Sequence, residues 1–261
     1  MPIWLYEMSQ LHAGICIVLF VELISLAGLL ATRRYLIPRF HFGEGINDAV
    51  SGTVQAIGVF YGITVGLIAV AVWNTNTSDS DMVSREASAI GALYRDVSGY
   101  PSPLREELQG IVRRYTVFVI DEAWPAQMKG EIAAPGKSII DDFQVHLYTF
   151  EPANQSQIAL HNETVRAYNQ LLEYRHLRID SVKSGLSNTM WAVIWLGAAI
   201  SIGVAYFYQI VDVKLHAVLV ILMSGFLVVV LFMIVINDKP FYGSSSISSE
   251  PYKLILHRLM D

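Results

Sequence analysis

Four stretches of the chain are apolar at nearly every position and long enough to cross a bilayer; they come as two pairs, separated by a long polar-patterned interval. The spans read as about 11–31, 48–73, 190–208 and 215–236. The predicted organisation is a first membrane pair in 1–74, a soluble helical module in 75–188, a second pair in 189–237 and a C-terminal tail in 238–261. As a helix the second span rises about 39 Å against a hydrocarbon core of about 30 Å, so it tilts or projects beyond the membrane. Within it Gly58, Gly62 and Gly66 recur every fourth residue. With Gln55, Ala69 and Trp73 they fall within about 80° of one another around a helix, a face of little bulk that suits another helix or a pore. Val59 and Ile63 lie beside that face, one turn beyond Gln55. Gln55, Val59, Gly62, Ile63 and Gly66 are therefore pore-lining candidates, with plain packing against the first or fourth span as the alternative for Val59 and Ile63. Gly58, Gly62 and Gly66, with Gly197 and Ser201 at the same spacing in the third span, are helix-packing candidates.

Thr32, Arg33 and Arg34 end the first span, and Asn47 or Asp48 can cap the second. Trp191, Trp195, Tyr206 and Tyr208 sit where interfacial aromatics belong in the third. In the module, Val83, Ile90, Leu93, Tyr94 and Val97 predict a helix that can continue the second span until Gly99, Tyr100 and Pro101. Ser102 as N-cap with Pro103 at the first helical position opens the next, with an apolar face of Leu108, Ile111, Val112, Tyr115, Phe118 and Val119, and Trp124 and Pro125 bend or end it. A loop at 133–136, a short helix at 139–150 and a long helix from about Gln155 follow. The long helix turns Ile158, Val165, Tyr168, Leu172, Ile179 and Val182 inward, and Gly185 and Ser187 interrupt it. No segment alternates with a strand period.

Composition sharpens the class. Hydrophobic residues at 53% and charged ones at 16% are too apolar a balance for a soluble domain, and the reading is an all-α integral membrane protein in contact with lipid. A net charge of -5 without basic runs leaves no footprint for nucleic acid. Cys16 is the only cysteine, so neither an intrachain disulfide nor a thiolate cluster is available. The segment MPIWLYEMSQ lacks a basic n-region, and the apolar run after it lacks a cleavage site, so that run is expected to stay attached.

Glu22 stands in the middle of the first span. An ionisable group at mid-bilayer costs about 3 kcal/mol on insertion scales, so it faces the bundle or water and is a functional candidate; a protonated acid bonded to a neighbouring helix is the alternative. Glu173 and His176 are spaced as metal ligands on one helical face, but a di-iron bundle needs a second such pair, so no metal is expected. Asp142 and His146 read as a surface pair four residues apart. Without HExxH, Walker, GxGxxG or GxSxG motifs, neither an enzyme nor a cofactor is expected; an intramembrane enzyme would need Glu22 to meet His or Asp partners. The adjacent charges Arg85/Glu86, Arg95/Asp96, Arg113/Arg114 and Asp121/Glu122, with Arg175/Arg178, are expected in interhelical ion pairs within the module, each worth under about 1 kcal/mol if exposed; an electrostatic vestibule that concentrates ions is the alternative.

Three stretches carry a resemblance: REASAIGALYRDVSGYP (Arg85–Pro101), LREELQGIVRRYTVFVIDEAWP (Leu104–Pro125) and NDKPFYGSSSISSEPY (Asn237–Tyr252). Together they resemble a bestrophin-like family of small bacterial membrane proteins, and more distantly the bestrophin anion channels. GVFYGITVGLIAVAVWN is similar to the bestrophin second span, and the order of two spans, helical module, two spans and tail agrees. The resemblance implies a homopentamer in the bacterial plasma membrane, a cytoplasmic module, and an axial pore lined by the second spans that passes small inorganic ions, anions such as chloride foremost. Lys and Arg near the span ends on the module side lean the same way, whereas Arg33 and Arg34 after the first span point to the opposite orientation. Two departures stand out. The bulky apolar neck of bestrophins is replaced here by Gln55, Val59, Ile63 and glycines, so selectivity does not carry over. Their acidic calcium clasp is replaced by YGSSSISSE, in which only Glu250 is acidic, so no calcium site is expected. The alternative function is a non-conducting membrane scaffold or sensor whose helical module binds a partner.

Overall fold

The computed structural model describes residues 9–243 and 246–260. The N-terminal MPIWLYEM segment and Ser244 and Ser245 of the tail, on which the leader and calcium expectations partly rest, lie outside the described residues. The helices are α1 (Gln10–Ala31), α2 (Ile46–Val97), α3 (Leu104–Phe118), α4 (Trp124–Gln127), α5 (Pro135–Tyr148), α6 (Gln155–Lys183), α7 (Asn188–Ala205), α8 (Val213–Asn237) and α9 (Glu250–Ile255). Among the described residues there is no strand. The chain divides into two compact units: Met1–Thr75 with Gly185–Asp238, and Asn76–Ser184 with Lys239–Asp261.

The first unit holds the apolar helices, each long enough to span a bilayer. α1 lies along α8, with Gly14 against the Phe232 ring and Glu22 against Ser224 and Gly225. α2 meets the third and fourth spans through Tyr61, Val65, Ala69 and Val72, which form a core with Ile194, Ala198, Leu231 and Ile234. The contact with α7 is close because Gly197 has no side chain: the Tyr61 ring occupies that space and its hydroxyl donates to the Ile194 carbonyl at 2.8 Å. α7 begins at Asn188, with Ser187 as its N-cap, and stops at Ala205, short of the expected Tyr208. Tyr206 and Tyr208 instead serve the connection to α8. Tyr206 lies over Gly28, and the Tyr208 hydroxyl bonds Ser51 at 3.0 Å. The Asn47 side chain pairs with the Gln209 backbone in both directions, so it ties this connection to α2 rather than capping the helix, which starts at Ile46.

The second unit is built around α3. Leu108, Ile111, Val112, Tyr115, Phe118 and Val119 are all buried, packed with Val83, Ile90, Leu93 and Val97 of α2, Phe143 and Leu147 of α5, and Tyr168 and Leu171 of α6. α3 starts one residue later than expected, with Pro103 at the N-cap position. The Arg105 hydrogen bond, with a smaller contribution from the Ser102 hydroxyl, holds the Glu106 carboxyl below its usual pKa. At its far end α3 passes into a π-turn, Val119–Ala123, before Trp124 and Pro125 open α4. α5 begins at Pro135, inside the expected loop, since proline suits the first helical turn. The inner face of α6 is rotated from the expected stripe: Thr164, Ala167, Tyr168, Leu171, Arg178 and Val182 are buried, whereas Ile158 is exposed and Ile179 half-buried. An arginine occupies the core position that the apolar pattern assigned to its neighbour. The residues from Lys239 on, set apart as a tail by their composition, belong to this unit and add Phe241 and Tyr252 to its core.

Candidate functional site

The pore-lining candidates share one property. Gln55, Val59, Gly62, Ile63 and Gly66 are all exposed, and among the described residues a methyl group added at Gly58, Gly62 or Gly66 would meet no atom beyond its own stretch of helix within 4 Å. α2 buries its Tyr61–Val65–Ala69–Val72 stripe and leaves the face of Gly58, Gly62 and Gly66 exposed; of the residues assigned to that face, only Ala69 turns to the core. Gly197 and Ser201 behave differently. Gly197 underlies Tyr61, and Ser201, nearly fully buried, donates to the Gly197 carbonyl at 2.8 Å.

Glu22 is half-buried at the α1–α8 contact. One carboxylate oxygen accepts from Ser224 Oγ at 2.8 Å, and the other is buried without a hydrogen-bond partner among the described residues. Its bonded partner is a serine, Ser224; among the described residues no hydrogen bond or ion pair joins it to a His or Asp. Near the other end of α1, Arg33 donates to the Ile210 carbonyl at 3.0 Å and lies 3.1 Å from His216 Nδ1. His216 is buried, with Nε2 3.0 Å from the Ala205 carbonyl. An arginine can only donate, so Nδ1 accepts and Nε2 carries the proton. This one arginine and one histidine hold α1, the α7–α8 connection and α8 together.

The polar unit contains the cluster that composition did not reveal. Glu86 and Arg178 are both buried and form a two-pronged pair, Nε to Oε2 at 2.6 Å and Nη2 to Oε1 at 3.0 Å. The Tyr115 hydroxyl donates to Glu86 Oε1 at 3.0 Å, and Trp124 lies 5.8 Å from the guanidinium. Trp124 packs against Phe241 and Tyr252. Burial alone would lower the Arg178 pKa, but the Glu86 charge reverses this and holds it well above the usual value; burial first, then Glu86, pushes Tyr115 and Tyr252 up. Glu86, Tyr115 with Trp124, and Phe241 with Tyr252 come from the three stretches that carry the resemblance, so those motifs converge on one buried ion pair closed by Arg178. A legible signal was present: Glu86 stands at helical spacing among Val83, Ala87 and Ile90, a charge on an apolar face.

Several other charges pair at the surface. Arg114 pairs with Asp142 between helices at 2.8 Å, His146 turns back to Asp142 of its own helix, and His176 pairs with Asp180 rather than Glu173. Among the described residues no three His, Cys, Asp or Glu side chains gather as a metal site.

Asp79, in the polar unit beyond the end of the second span, accepts from Ser181 at 2.9 Å with Oδ1, while its buried Oδ2 has no hydrogen-bond partner among the described residues. Burial pushes its carboxyl above the usual 3.8, against the smaller opposing effect of the Ser181 bond. The folded chain therefore holds this proton more tightly than the unfolded chain. The resulting stabilisation is present below 3.8 and is lost as the pH rises through the raised folded value. Asp79→Asn keeps an acceptor for Ser181 and removes the buried charge. It is expected to raise the melting temperature near neutral pH, with the gain vanishing in acid; an equal shift at every pH would contradict this assignment.

A family model described as a bestrophin-like domain matches residues 19–252. The fold is similar to that of a bacterial bestrophin homologue from Klebsiella pneumoniae, with a TM-score of 0.68 and 10% identity over 95% of this chain and 97% of that one. A second solved membrane protein matches with a TM-score of 0.70 and 10% identity, covering 94% and 96%. No curated protein matches by sequence.

Proposed function

Because this chain belongs to the bestrophin-like family, we propose that it is an oligomeric membrane channel for small ions, anions such as chloride foremost, with α2 lining an axial path. The observation that carries this reading is the α2 face of Gln55, Val59, Gly62, Ile63 and Gly66, which is exposed along its length, with no described atom in the way of a methyl group added at Gly62 or Gly66. A set of α2 helices around an axis would place Val59 and Ile63 in a narrow apolar neck. Such a constriction resists wetting and holds back ions without a charged gate. Gln55, one turn away, offers an uncharged amide that replaces part of an ion's hydration. The glycines keep the path wide enough beside the neck, or let neighbouring α2 helices approach. Anion preference, a pentameric ring, a bacterial plasma-membrane location and a cytoplasmic polar unit all follow from the bestrophin resemblance and form part of this proposal.

The test is reconstitution of the full chain in liposomes, with chloride and potassium fluxes measured separately and the subunit number determined by native mass spectrometry. Chloride flux above that of protein-free liposomes, from a closed ring, is expected. A dimer with no flux above background would replace the channel with the non-conducting scaffold.

A further inference from the structure

In the membrane unit α1 packs along α8 and approaches α7 closely where the Tyr206 ring, just after that helix, lies over Gly28. Beside this contact α1, α7 and α8 enclose a groove of about 490 Å³. On α1 its wall runs from Phe20, at the middle of the helix, to Gly28, about 12 Å along the axis. On α7 it runs from Trp195, again near the middle, to Tyr206, about 16 Å. Residues between Ser224 and Leu231, in the middle part of α8, close the deep end. From the end of α7 to mid-span, the α1 and α7 walls match one leaflet, half of a hydrocarbon core of about 30 Å.

The lining is apolar apart from three hydroxyls, and each of these is already bonded within the unit. Tyr206 bonds Ser25, and Ser224 donates to the Glu22 carboxylate at 2.8 Å. A space lined in this way gives water too few partners to enter, and left empty it forfeits dispersion contacts along its walls. Hydrocarbon is the occupant that such walls favour. Phe20, Ile24 and Trp195 line the groove and are also exposed, so it is open at the surface of the spans. A helix of a second copy would cross the whole bilayer and would need a groove of that length, whereas a lipid chain enters from one leaflet and ends near the middle.

We propose that this groove holds one acyl chain of a bilayer phospholipid, with its methyl end among Phe20, Trp195 and Leu231 and its headgroup end at Tyr206, where an interfacial tyrosine belongs. The chain is then the packing partner of α1 on a side that α8 does not cover. The proposal requires only that the apolar helices span the bilayer and is independent of ion conduction.

The test uses the full chain in liposomes of phosphatidylethanolamine and phosphatidylglycerol that also contain a phosphatidylcholine with a photoreactive diazirine on one chain, either at its methyl end or next to its ester. Labelled residues are mapped by mass spectrometry. The methyl-end probe is expected to label Phe20 and Trp195, and the ester-end probe the residues around Gly28 and Tyr206. Ala199→Trp fills the groove from an exposed position on its wall and is expected to reduce both signals several-fold. Labelling of Leu222, Phe226 and Val229, exposed on α8 outside the groove, should stay unchanged. Ala199→Leu adds less bulk, is expected to act in the same direction, and decides the matter if the tryptophan variant does not fold. Unchanged groove labelling in the folded variant overturns the site and leaves ordinary lipid contact. Loss of the oligomer in Ala199→Leu, read by native mass spectrometry, overturns it in favour of a second copy as the occupant.

Discussion

Arg178→Met is expected to lower the unfolding free energy by about 3–5 kcal/mol, the range found when one partner of a buried ion pair is removed. The loss arises mainly from what is left behind. Glu86 is completely buried, and its two oxygens are satisfied by Arg178 and Tyr115. Without the guanidinium the carboxylate keeps one hydroxyl donor in a site lined by Trp124 and Tyr252, and must either remain charged without compensation or take up a proton. Met fills much of the same volume, so the effect is not that of a cavity. The double replacement Arg178→Met with Glu86→Leu removes both charges and is expected to recover most of the loss, since well-packed apolar residues can replace a buried pair at little cost. Melting of the detergent-solubilised protein checks both results. A single variant within about 0.5 kcal/mol of wild type, the range of ordinary surface substitutions, would contradict this account of the cluster. Because Tyr252 and Phe241 close the same site, the single variant is also expected to increase protease access to residues 246–260.

Gly62→Leu and Gly197→Leu are expected to fail in opposite ways. At Gly197 an added methyl would run into the Tyr61 ring, and Tyr61 is held by its bond to the Ile194 carbonyl. Leucine there forces α2 and α7 apart, and overpacking of this kind costs about 1–3 kcal/mol or more. At Gly62 no atom of the described residues beyond its own stretch of helix lies within 4 Å of an added methyl, so leucine is expected to leave the fold of the individual chain intact. Its effect falls on whatever occupies that face in the assembled protein. For a face that lines the path, leucine narrows it and flux falls to background with the oligomer retained. For a face that packs against neighbouring copies, the oligomer itself is lost. Flux and native mass measured on the same preparation separate the two. Wild-type flux and mass in Gly62→Leu would remove Gly62 from both roles.

The four spans were legible from the sequence because hydrocarbon demands about 20 apolar residues wherever a helix crosses it, independently of neighbours. The α3 face of Leu108, Ile111, Val112, Tyr115, Phe118 and Val119 was legible for a similar reason: a helix half covered by a core displays its period directly. Glu22 could be placed at a helix contact by its desolvation cost, though nothing in the spacing named Ser224 as its partner. Three features were decided only by tertiary structure. Arg178 replaces Ile179 on the inner face of α6 because Glu86 waits opposite it, and a charge becomes a core residue only through a partner far away in the chain. The fit of Tyr61 over Gly197 depends on the alignment of two helices, while the Gly58, Gly62 and Gly66 spacing is the same whether a helix, an axis or lipid lies opposite. The residues after Asp238 read as a polar tail because a few anchors, Phe241 and Tyr252 among them, carry their burial. Local patterns thus determined which segments are helical and which sides are apolar. The partners of individual charges, glycines and anchors emerged only once distant segments had packed, because those energies belong to pairs of residues that no local window contains.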